Sequence, residues 1–319
     1  MPERLLPTDR AASHTMLSFT RDHQDALAAH FNASLSSGLA GSDISQTGVS
    51  GARWYWRVLQ WDTAYFGLPF IRIECCTWDG AATEPTRVLV EALQGLLEDI
   101  ARSHDRVYVF TDIPAEDTLP IAALGRCGFR LVETRLTYYR TGEGAFAAPP
   151  QPVRPATLDD IPHLRDVAMR ARNPFDRYHA DEFFGQAVAD RYIATYVEEA
   201  VRGLADVVLV PDPDDGAPPG AFFALDLTEP PECPLGEAHE CQLGIATARI
   251  PLVAVAPERR GWHIRLLTAA TRSALDRGVD LVYMTTQATN RAVIRNCERT
   301  GYHLGRTSHV LTWTRGTIK

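Results

Sequence analysis

One stretch of this chain, residues 249–302, constrains its fold more than any other. It begins with a short apolar strand, passes through an arginine-rich turn and continues into a helix, a second apolar strand and a second helix that ends near Gly301. The first of these helices is recognised by its apolar residues at helical spacing, which are Ile264, Leu267, Ala270 and Ala274. Because the first turn of a helix leaves backbone N–H groups unpaired, this order is typical of an anion-binding α/β unit.

Length and composition predict two globular domains in one soluble chain. The 319 residues exceed one ordinary domain, and 45% hydrophobic with 23% charged residues is close to average globular usage. No apolar run approaches the roughly 20 residues that a membrane helix needs. The net charge of -8 argues against a general nucleic-acid binder, which needs a basic face. We therefore expect a cytoplasmic protein with neither a membrane nor a nucleic acid as partner.

The use of lysine and cysteine removes several mechanisms. Lys319 is the only lysine, so Walker-type phosphate loops, Schiff bases and lysine nucleophiles are excluded. The six cysteines show none of the paired spacings typical of zinc sites. We expect reduced, buried thiols and no metal.

Punctuation along the chain predicts three segments. Residues 1–51 are weakly patterned, with a short helix over residues 18–33 and a flexible linker after it. Residues 52–148 alternate strands and helices, with WDTAYFGL, from Trp61, predicted as a turn. Residues 149–319 form the second domain, after a Pro/Ala/Gly-rich boundary at residues 142–152.

The two halves resemble one another. DRVYVFTD at Asp105 is similar to DLVYMTTQ at Asp280, and GFRLVETRLTYYR at Gly128 is similar to GYHLGRTSHVLTWTR at Gly301. The blocks have nearly the same spacing, which indicates a duplicated α/β unit.

Three motifs stand out in the second half, namely V-A-P-E-R-R-G from Val255, T-T-Q-A-T-N from Thr285, and N-R-A-V-I-R-N-C-E-R-T-G-Y from Asn290. Together they resemble the GNAT superfamily of acetyl-CoA-dependent N-acetyltransferases. The resemblance implies an α/β fold of two GNAT-like mixed β-sheet units, the first truncated and the second a complete acetyl-CoA-binding domain. Within the superfamily, WDTAYFGLPFIRIE from Trp61 and RYHADEFF from Arg177 are most similar to acetyltransferases acting on dTDP-linked 4-amino-4,6-dideoxyhexoses.

The resemblance also implies a set of roles. The backbone of Val253 and Val255 would pair with the pantetheine arm of acetyl-CoA, and the Val255 N–H would polarise the thioester carbonyl. Asn290 would lie beside the pantetheine or the acceptor. The cofactor-binding residues are then Leu252, Val253, Val255, Arg260, Gly261, Trp262, His263, Ile264, Arg265 and Asn290.

Two departures from the family pattern bear on the site. The usual glycines two and four residues after Gly261 are replaced by His263 and Arg265, so close approach of the backbone to phosphates is less assured. Cys297 stands where the family has a tyrosine that often protonates the leaving thiolate. Cys297 is either that acid or a small buried filler, so the predicted catalytic residues are Val255, Asn290 and Cys297.

Four residues are predicted to contact the acceptor. Tyr178, His179 and Asp181 belong to the RYHADEFF motif, and Gln287 ends the second apolar strand. Each also has a structural explanation. A loop histidine is commonly hydrogen-bonded for structural reasons, and aromatic residues at this spacing are commonly core.

The sequence therefore predicts acetyl transfer from acetyl-CoA to a primary amine on a nucleotide-linked amino sugar. Two alternatives remain open. In the first, the amine belongs to another small molecule or to a protein N-terminus. In the second, the protein is a non-catalytic acyl-CoA binder that lost its glycines and its acid. A homodimer is one state that the sequence leaves open.

Overall fold

A computed structural model describes residues 5–142, 152–212, 217–228 and 244–318. They divide into two compact units. Of the described residues, unit 1 comprises those in the ranges 5–135, 181–183 and 306–318, and unit 2 comprises those in the ranges 136–180 and 184–305. Each unit thus contains a segment from the other half of the sequence. The boundary predicted at residues 148 and 149 lies outside the described residues.

The order of elements alternates strands and helices along most of the chain. Within the described residues no helix is long and apolar enough to cross a membrane. The elements are α1 (Thr8–Ser13), α2 (Gln24–Ala40), β1 (Ser45–Val49), β2 (Ala52–Val58), α3 (Gln60–Phe66), β3 (Phe70–Trp78), α4 (Pro85–Ser103), β4 (Val107–Pro114), α5 (Thr118–Arg126), β5 (Arg130–Thr141), β6 (Val153–Pro155), α6 (Ile161–Arg170), α7 (Arg177–Ala180), α8 (Gln186–Glu199), β7 (Val207–Pro211), β8 (Ala221–Thr228), β9 (Thr247–Ile250), β10 (Val253–Val255), α9 (Trp262–Leu275), β11 (Leu281–Gln287), α10 (Arg291–Arg299) and β12 (His303–Arg315).

Unit 1 is a sheet with strand order β1-β2-β3-β4-β12. Strands β3 and β4 are parallel and are joined through α4, whereas β1–β2, β2–β3 and β4–β12 are antiparallel. Side chains alternate across each strand, so one face of the sheet packs on α4 and α5. The core there includes Ile71, Leu93, Val109, Leu124 and Leu311.

The first 66 residues are more regular than the sequence predicts. The flexible linker is wrong, because residues 34–40 are the last part of α2 and residues 45–49 form strand β1, with a short turn between them. The helix predicted over residues 18–33 is instead Gln24–Ala40. The turn predicted around Trp61 is the helix α3, which ends where Gly67 takes the left-handed conformation at φ 65°. Small polar residues favour linkers on average. Helix α2 nevertheless buries its own Leu27 and Leu35, and such tertiary packing stabilises a helix of weak propensity.

Unit 2 has the strand order β5-β11-β9-β8-β7-β6, with β10 paired to β8 beside this path. Its sheet has a core on each face. Helices α9 and α10 pack on one face with Phe223, and α6 and α8 pack on the other with Phe222. These neighbours on β8 point to opposite faces, as the pleat of a strand requires.

The two units repeat one strand–helix–strand–helix–strand arrangement. Strands β3 and β4 correspond to β9 and β11, which are also parallel. Helices α5 and α10 end alike: the N–H of Phe129 bonds the carbonyl of Leu124 at 3.0 Å, and that of Tyr302 bonds Cys297 at 2.9 Å. Gly128 and Gly301 are left-handed at φ 84° and 79° in these two ends. The structure thus contains the duplication that the sequence repeats predict.

Residues 181–183 are held in unit 1 by a buried carboxylate. Asp181 is 1% exposed and accepts hydrogen bonds from the hydroxyls of Tyr108 at 3.1 Å and Thr312 at 2.8 Å. It also accepts from the guanidinium of Arg130 at 3.0 Å and from the N–H of Phe183 at 3.1 Å. Four donors satisfy both oxygens, which is what a buried charge requires.

We expect Asp181→Asn to lower the free energy of unfolding by about 2–4 kcal/mol, because an amide cannot accept from every donor that the carboxylate now satisfies. Glu182→Gln is the matched control, since Glu182 is the next residue and its side chain is 92% exposed. It should change stability by less than about 0.5 kcal/mol. Urea unfolding of both variants measures the difference, and equal losses would contradict this role of Asp181.

Candidate functional site

The turn between β10 and α9 is shaped to bind an anion. Gly261 precedes α9 in the left-handed conformation at φ 93°, which side-chain-bearing residues rarely adopt. The first-turn N–H groups of α9, in residues 262–265, have no partner within the helix, and the helix dipole adds positive potential. Neither Arg259 nor Arg260 is ion-paired with a carboxylate of the described residues. The N-terminus of α9 is therefore an electropositive cradle.

Among the described strands, β10 is paired along one edge only, with β8. The N–H of Ala256 bonds the carbonyl of Gly220 at 2.9 Å, and the N–H of Ala224 bonds the carbonyl of Leu252 at 2.9 Å. In an antiparallel pair the residues that bond the partner strand alternate with residues that face away. The backbone groups of Val253 and Val255 must then point away from β8. The carbonyl of Leu252 is already bonded to β8, so the cofactor contact predicted at Leu252 cannot use that carbonyl.

The free edge of β10 faces a gap that we call the unit 2 wedge. Strand β11 pairs with β9 up to Met284 and Ile250, and β9 then gives way to β10 at Pro251. Strand β10 follows β8, whereas β11 continues to Gln287 without a partner on that side among the described strands. Residues 253–255 and 285–287 are the two sides of this wedge. The short apolar strand predicted at the start of residues 249–302 is thus two strands, β9 and β10.

The side chain of His263 turns inward from the α9 turn. Its Nδ1 accepts a hydrogen bond from the Asn296 amide at 3.1 Å, and its ring meets Phe223 edge-on at 5.1 Å. Burial lowers the pKa of His263 to about 4, so the ring is neutral at physiological pH. The neutral ring therefore offers no positive charge to a phosphate. Its Nε2 is buried and has no hydrogen-bond partner among the described residues. The contact of His263 with a cofactor stays a prediction.

Cys297 lies on the core face of α10. It is 0% exposed and its thiol contacts the sulfur of Met284 at 3.6 Å. Burial raises the pKa of Cys297 to about 12. Proton transfer to a thiolate of ordinary pKa, about 8.5, would run uphill by several kcal/mol. The geometry supports the buried-filler alternative and argues against the acid.

Two polar residues stand at the carboxyl end of β11. Asn290 caps α10, because its Oδ1 accepts from the N–H of Val293 at 3.3 Å. Gln287 accepts a hydrogen bond from the Asn173 amide at 2.5 Å. Sequence reasoning missed Asn173, since the segment before α7 has no period and no motif letter marks it. The two amides of Asn173 and Gln287 place hydrogen-bonding groups beside the open end of β11.

The RYHADEFF motif serves the fold. The Tyr178 hydroxyl accepts from Arg177 and donates to the hydroxyl of Tyr192 at 2.8 Å. His179 bonds Asp176 through Nδ1 at 2.7 Å and Asp190 through Nε2 at 3.1 Å. Both ring nitrogens are engaged, so His179 has no free position for a substrate proton.

Charges around His179 also set its titration. Burial alone would lower the pKa of His179, but the hydrogen bonds and charges of Asp176 and Asp190 outweigh burial and raise it. Asp181, the third predicted acceptor contact of this motif, is the buried hub of unit 1 described above. The structure thus gives Tyr178, His179 and Asp181 structural partners, and their contacts with an acceptor stay a prediction.

A cavity of about 400 Å³ lies on the α6 side of the turn. Arg170 of α6 crosses its rim and bonds Asp166 at 2.6 Å and Glu258 at 2.8 Å. Arg259 lines the same cavity and its side chain lies over Gly220, where a methyl group would clash. Sequence reasoning missed this cavity, because its walls come from three separated segments. In the described part of the chain, the cavity included, no group of three or more His, Cys, Asp or Glu side chains is placed to hold a metal ion.

Known structures share this fold. A GCN5-related N-acetyltransferase from Sphaerobacter thermophilus matches with a TM-score of 0.58 at 16% identity, over 98% of this chain and 96% of that one. A glucosamine N-acetyltransferase region of a fungal multi-domain β-N-acetylglucosaminidase matches at 0.54 and 14%, over 82% of this chain and 31% of that one. A functionally unknown conserved protein from Staphylococcus epidermidis matches at 0.52 and 12%, over 86% and 95%.

The likeness is one of fold. No protein-family model and no curated protein matches the sequence. The predicted fold class, an α/β chain of two GNAT-like units, is confirmed by the shared architecture and by the two units of the chain.

We expect the loss of melting temperature in His179→Gln to be larger at about pH 6 than at about pH 9. A histidine with a raised folded pKa stabilises fully below its unfolded pKa of about 6.5, and this contribution disappears as pH rises through the folded pKa. His163→Gln, at an exposed histidine on α6, should show no such trend. Thermal unfolding at both pH values checks this, and a pH-independent loss for His179→Gln would contradict the ion pairs.

Proposed function

We propose that the protein transfers an acetyl group from acetyl-CoA to a primary amine at the unit 2 wedge. One observation carries this proposal: the free backbone edge of Val253 and Val255 runs directly into the left-handed Gly261 and the N-terminus of α9. An extended arm lying along the edge would reach the cradle with its phosphates. The GNAT fold supports the same arrangement.

The residues at the wedge fit acetyl-CoA. The backbone of Val253 and Val255 offers the hydrogen bonds of an added strand to the pantetheine amides. The N–H groups of residues 260–265 hold the pyrophosphate. Arg260 and Arg265 are the first and last residues of this segment. Gly261 permits close approach there, because a Cβ at this position would meet no protein atom within 4 Å and so would point into open space. Acetyl-CoA supplies the acetyl group as a thioester.

The transfer proceeds by direct attack. The neutral amine forms a C–N bond to the carbonyl carbon as the C–S bond breaks, and the Val255 N–H stabilises the negative charge that develops on the carbonyl oxygen. The attacking nitrogen releases one proton and the departing thiolate takes one, so protons balance. Asn290 contributes by capping α10 beside the open end of β11. Cys297 takes no part.

A nucleotide-linked amino sugar is the proposed acceptor. The WDTAYFGLPFIRIE and RYHADEFF segments support it by sequence resemblance, although Tyr178, His179 and Asp181 now have structural explanations. The fungal neighbour is named as a glucosamine N-acetyltransferase region. This likeness supports a sugar amine as the acceptor. Gln287 and Asn173 are the described side chains proposed to meet the acceptor.

A panel assay tests activity and acceptor together. Purified protein is mixed with acetyl-CoA and amino sugars, nucleotide-linked amino sugars, polyamines, aminoglycosides and peptides, and free thiol is measured. Turnover highest with nucleotide-linked amino sugars is the expected result. Turnover with another class would correct the acceptor, and measurable acetyl-CoA binding without any turnover would favour the non-catalytic alternative.

We expect Gly261→Ala to raise the KM for acetyl-CoA at least roughly tenfold, because its methyl group enters the space proposed for the pyrophosphate. Gly278→Ala is a matched control. Gly278 is also left-handed, at φ 85°, also has open space around a Cβ, and follows the other end of α9. Both variants carry similar backbone strain, so equal changes in KM would contradict the pyrophosphate assignment.

We expect Cys297→Ala to keep its turnover number within about twofold of wild type, while its stability falls by about 1 kcal/mol from the small cavity. Steady-state kinetics and urea unfolding measure the two effects. A loss of turnover of about a hundredfold in a folded variant would restore Cys297 as the acid.

A further inference from the structure

We propose that unit 1 contains a second wedge of the same construction and that residues 6–17, which we call the N-terminal segment, fill it. One chain therefore binds one acetyl-CoA. The statement about acetyl-CoA rests on the proposed function. The filling of the wedge stands on contacts within unit 1 alone.

The unit 1 wedge opens between β3 and β4. These parallel strands pair from Phe70 and Tyr108 up to Ile73 and Thr111. Beyond that point β3 stays bonded to β2, with an irregularity in register between Tyr55 and Trp56, and β4 stays bonded to β12. Strands β9 and β11 separate in unit 2 after a parallel pairing of the same length. Both units thus place a gap at the same point of the repeated arrangement.

The β3 side of this gap has a free edge like that of β10. The N–H of Asp79 bonds the carbonyl of Gly51 at 2.8 Å, so alternation directs the backbone of Thr77 toward β2. The backbone groups of Cys76 and Trp78 then point away from β2. They correspond to those of Val253 and Val255 at the unit 2 wedge.

Arg10 of α1 occupies the gap. One guanidinium nitrogen donates to the carbonyl of Cys76 at 2.7 Å, which is the free edge of β3. The Nε and the other terminal nitrogen bond the carboxylate of Asp117 at 3.0 and 2.9 Å, just beyond the end of β4. The same group lies 4.1 Å from the centre of the Trp78 ring. One side chain therefore joins both sides of the wedge where a ligand would enter.

The rest of the segment is packed into unit 1. The His14 Nε2 lies 3.1 Å from Asp117, and the Arg306 guanidinium donates to the carbonyl of Ser13 at 3.3 Å. Four apolar residues of the segment are at most 1% exposed, namely Leu6, Ala11, Ala12 and Leu17. The Arg10 side chain is 14% exposed and has a bidentate carboxylate partner, which indicates a stable contact rather than a surface arm.

The N-terminus of α4, the helix that follows this wedge, is also unfavourable for binding an anion. Helix α4 starts at Pro85, which lacks an N–H, and the residue before it is Glu84. Glu84 pairs with Arg87 at 3.0 Å, so the nearby cation is already used. Helix α9 instead begins directly after Gly261, which follows two arginines. A pyrophosphate therefore finds donors at α9 and a carboxylate at α4.

Equilibrium dialysis with radiolabelled acetyl-CoA measures the number of sites. We expect one site per chain in the wild type. Two sites would overturn the inference and leave the proposed function intact. No binding at all would contradict the proposed function, and the next experiment still decides whether the segment fills the wedge.

Hydrogen–deuterium exchange of Arg10→Ala tests the filling without any ligand. We expect exchange in residues 74–78 to rise at least roughly tenfold and the melting temperature to fall, because Cys76 and Asp117 lose their donor. Arg21→Ala is the control, since Arg21 is exposed and lies in the same N-terminal region. Arg10→Lys, which keeps the charge without the fork, replaces Arg10→Ala if the latter does not fold, and should show an intermediate rise. Unchanged exchange in residues 74–78 would overturn the inference.

Discussion

The proposed chemistry depends on a strand that loses its partner on one side. Strand β11 pairs with β9 only as far as Ile250. After Pro251 the chain that formed β9 continues as β10, which is bonded only to β8 among the described strands. Unpaired strand edges are costly in a folded protein, since their N–H and C=O groups must find partners. Proteins keep such edges where another chain or ligand completes them. Here the edge leads into Gly261 and the N-terminus of α9, so a single extended ligand with an anionic end satisfies both.

The same constraint recurs in unit 1 and is met differently. The carbonyl of Cys76 on the free edge of β3 is satisfied by Arg10, whose charge is balanced by Asp117. The helix after this strand begins with Glu84 and Pro85, so no anion is favoured there. A duplicated unit that bound nothing would leave its edge exposed. In our proposal the N-terminal segment, through Arg10, takes the place of a ligand at this edge.

Much of the fold was accessible from the sequence, because it depends on apolar periodicity. The strands β4 and β11 and the helices before Gly128 and Gly301 follow from repeated apolar runs and glycine stops. The α9 turn followed from Gly261. What failed was local: residues 34–40 and 45–49 have linker composition but form helix and strand, since tertiary burial outweighs weak propensity.

The roles predicted for Val253 and Val255 came from the family resemblance. The strand register supports them, because it directs the backbone groups of both residues away from β8. The roles of His179 and Cys297 depend on which residues surround them, and those neighbours, Asp190 and Met284, are distant in sequence. Motif letters alone cannot separate a catalytic histidine from one held between two carboxylates.

Amide hydrogen exchange followed by NMR, with and without acetyl-CoA, tests the central claim most directly. The amides of Val253 and Val255 and those of residues 260–265 should exchange more slowly when acetyl-CoA is present. The amide of Ala256 should change little, because it is already bonded to Gly220. Slowing at alternate residues of this strand is the predicted result. Binding of acetyl-CoA without slowing at Val253 and Val255 would contradict the account.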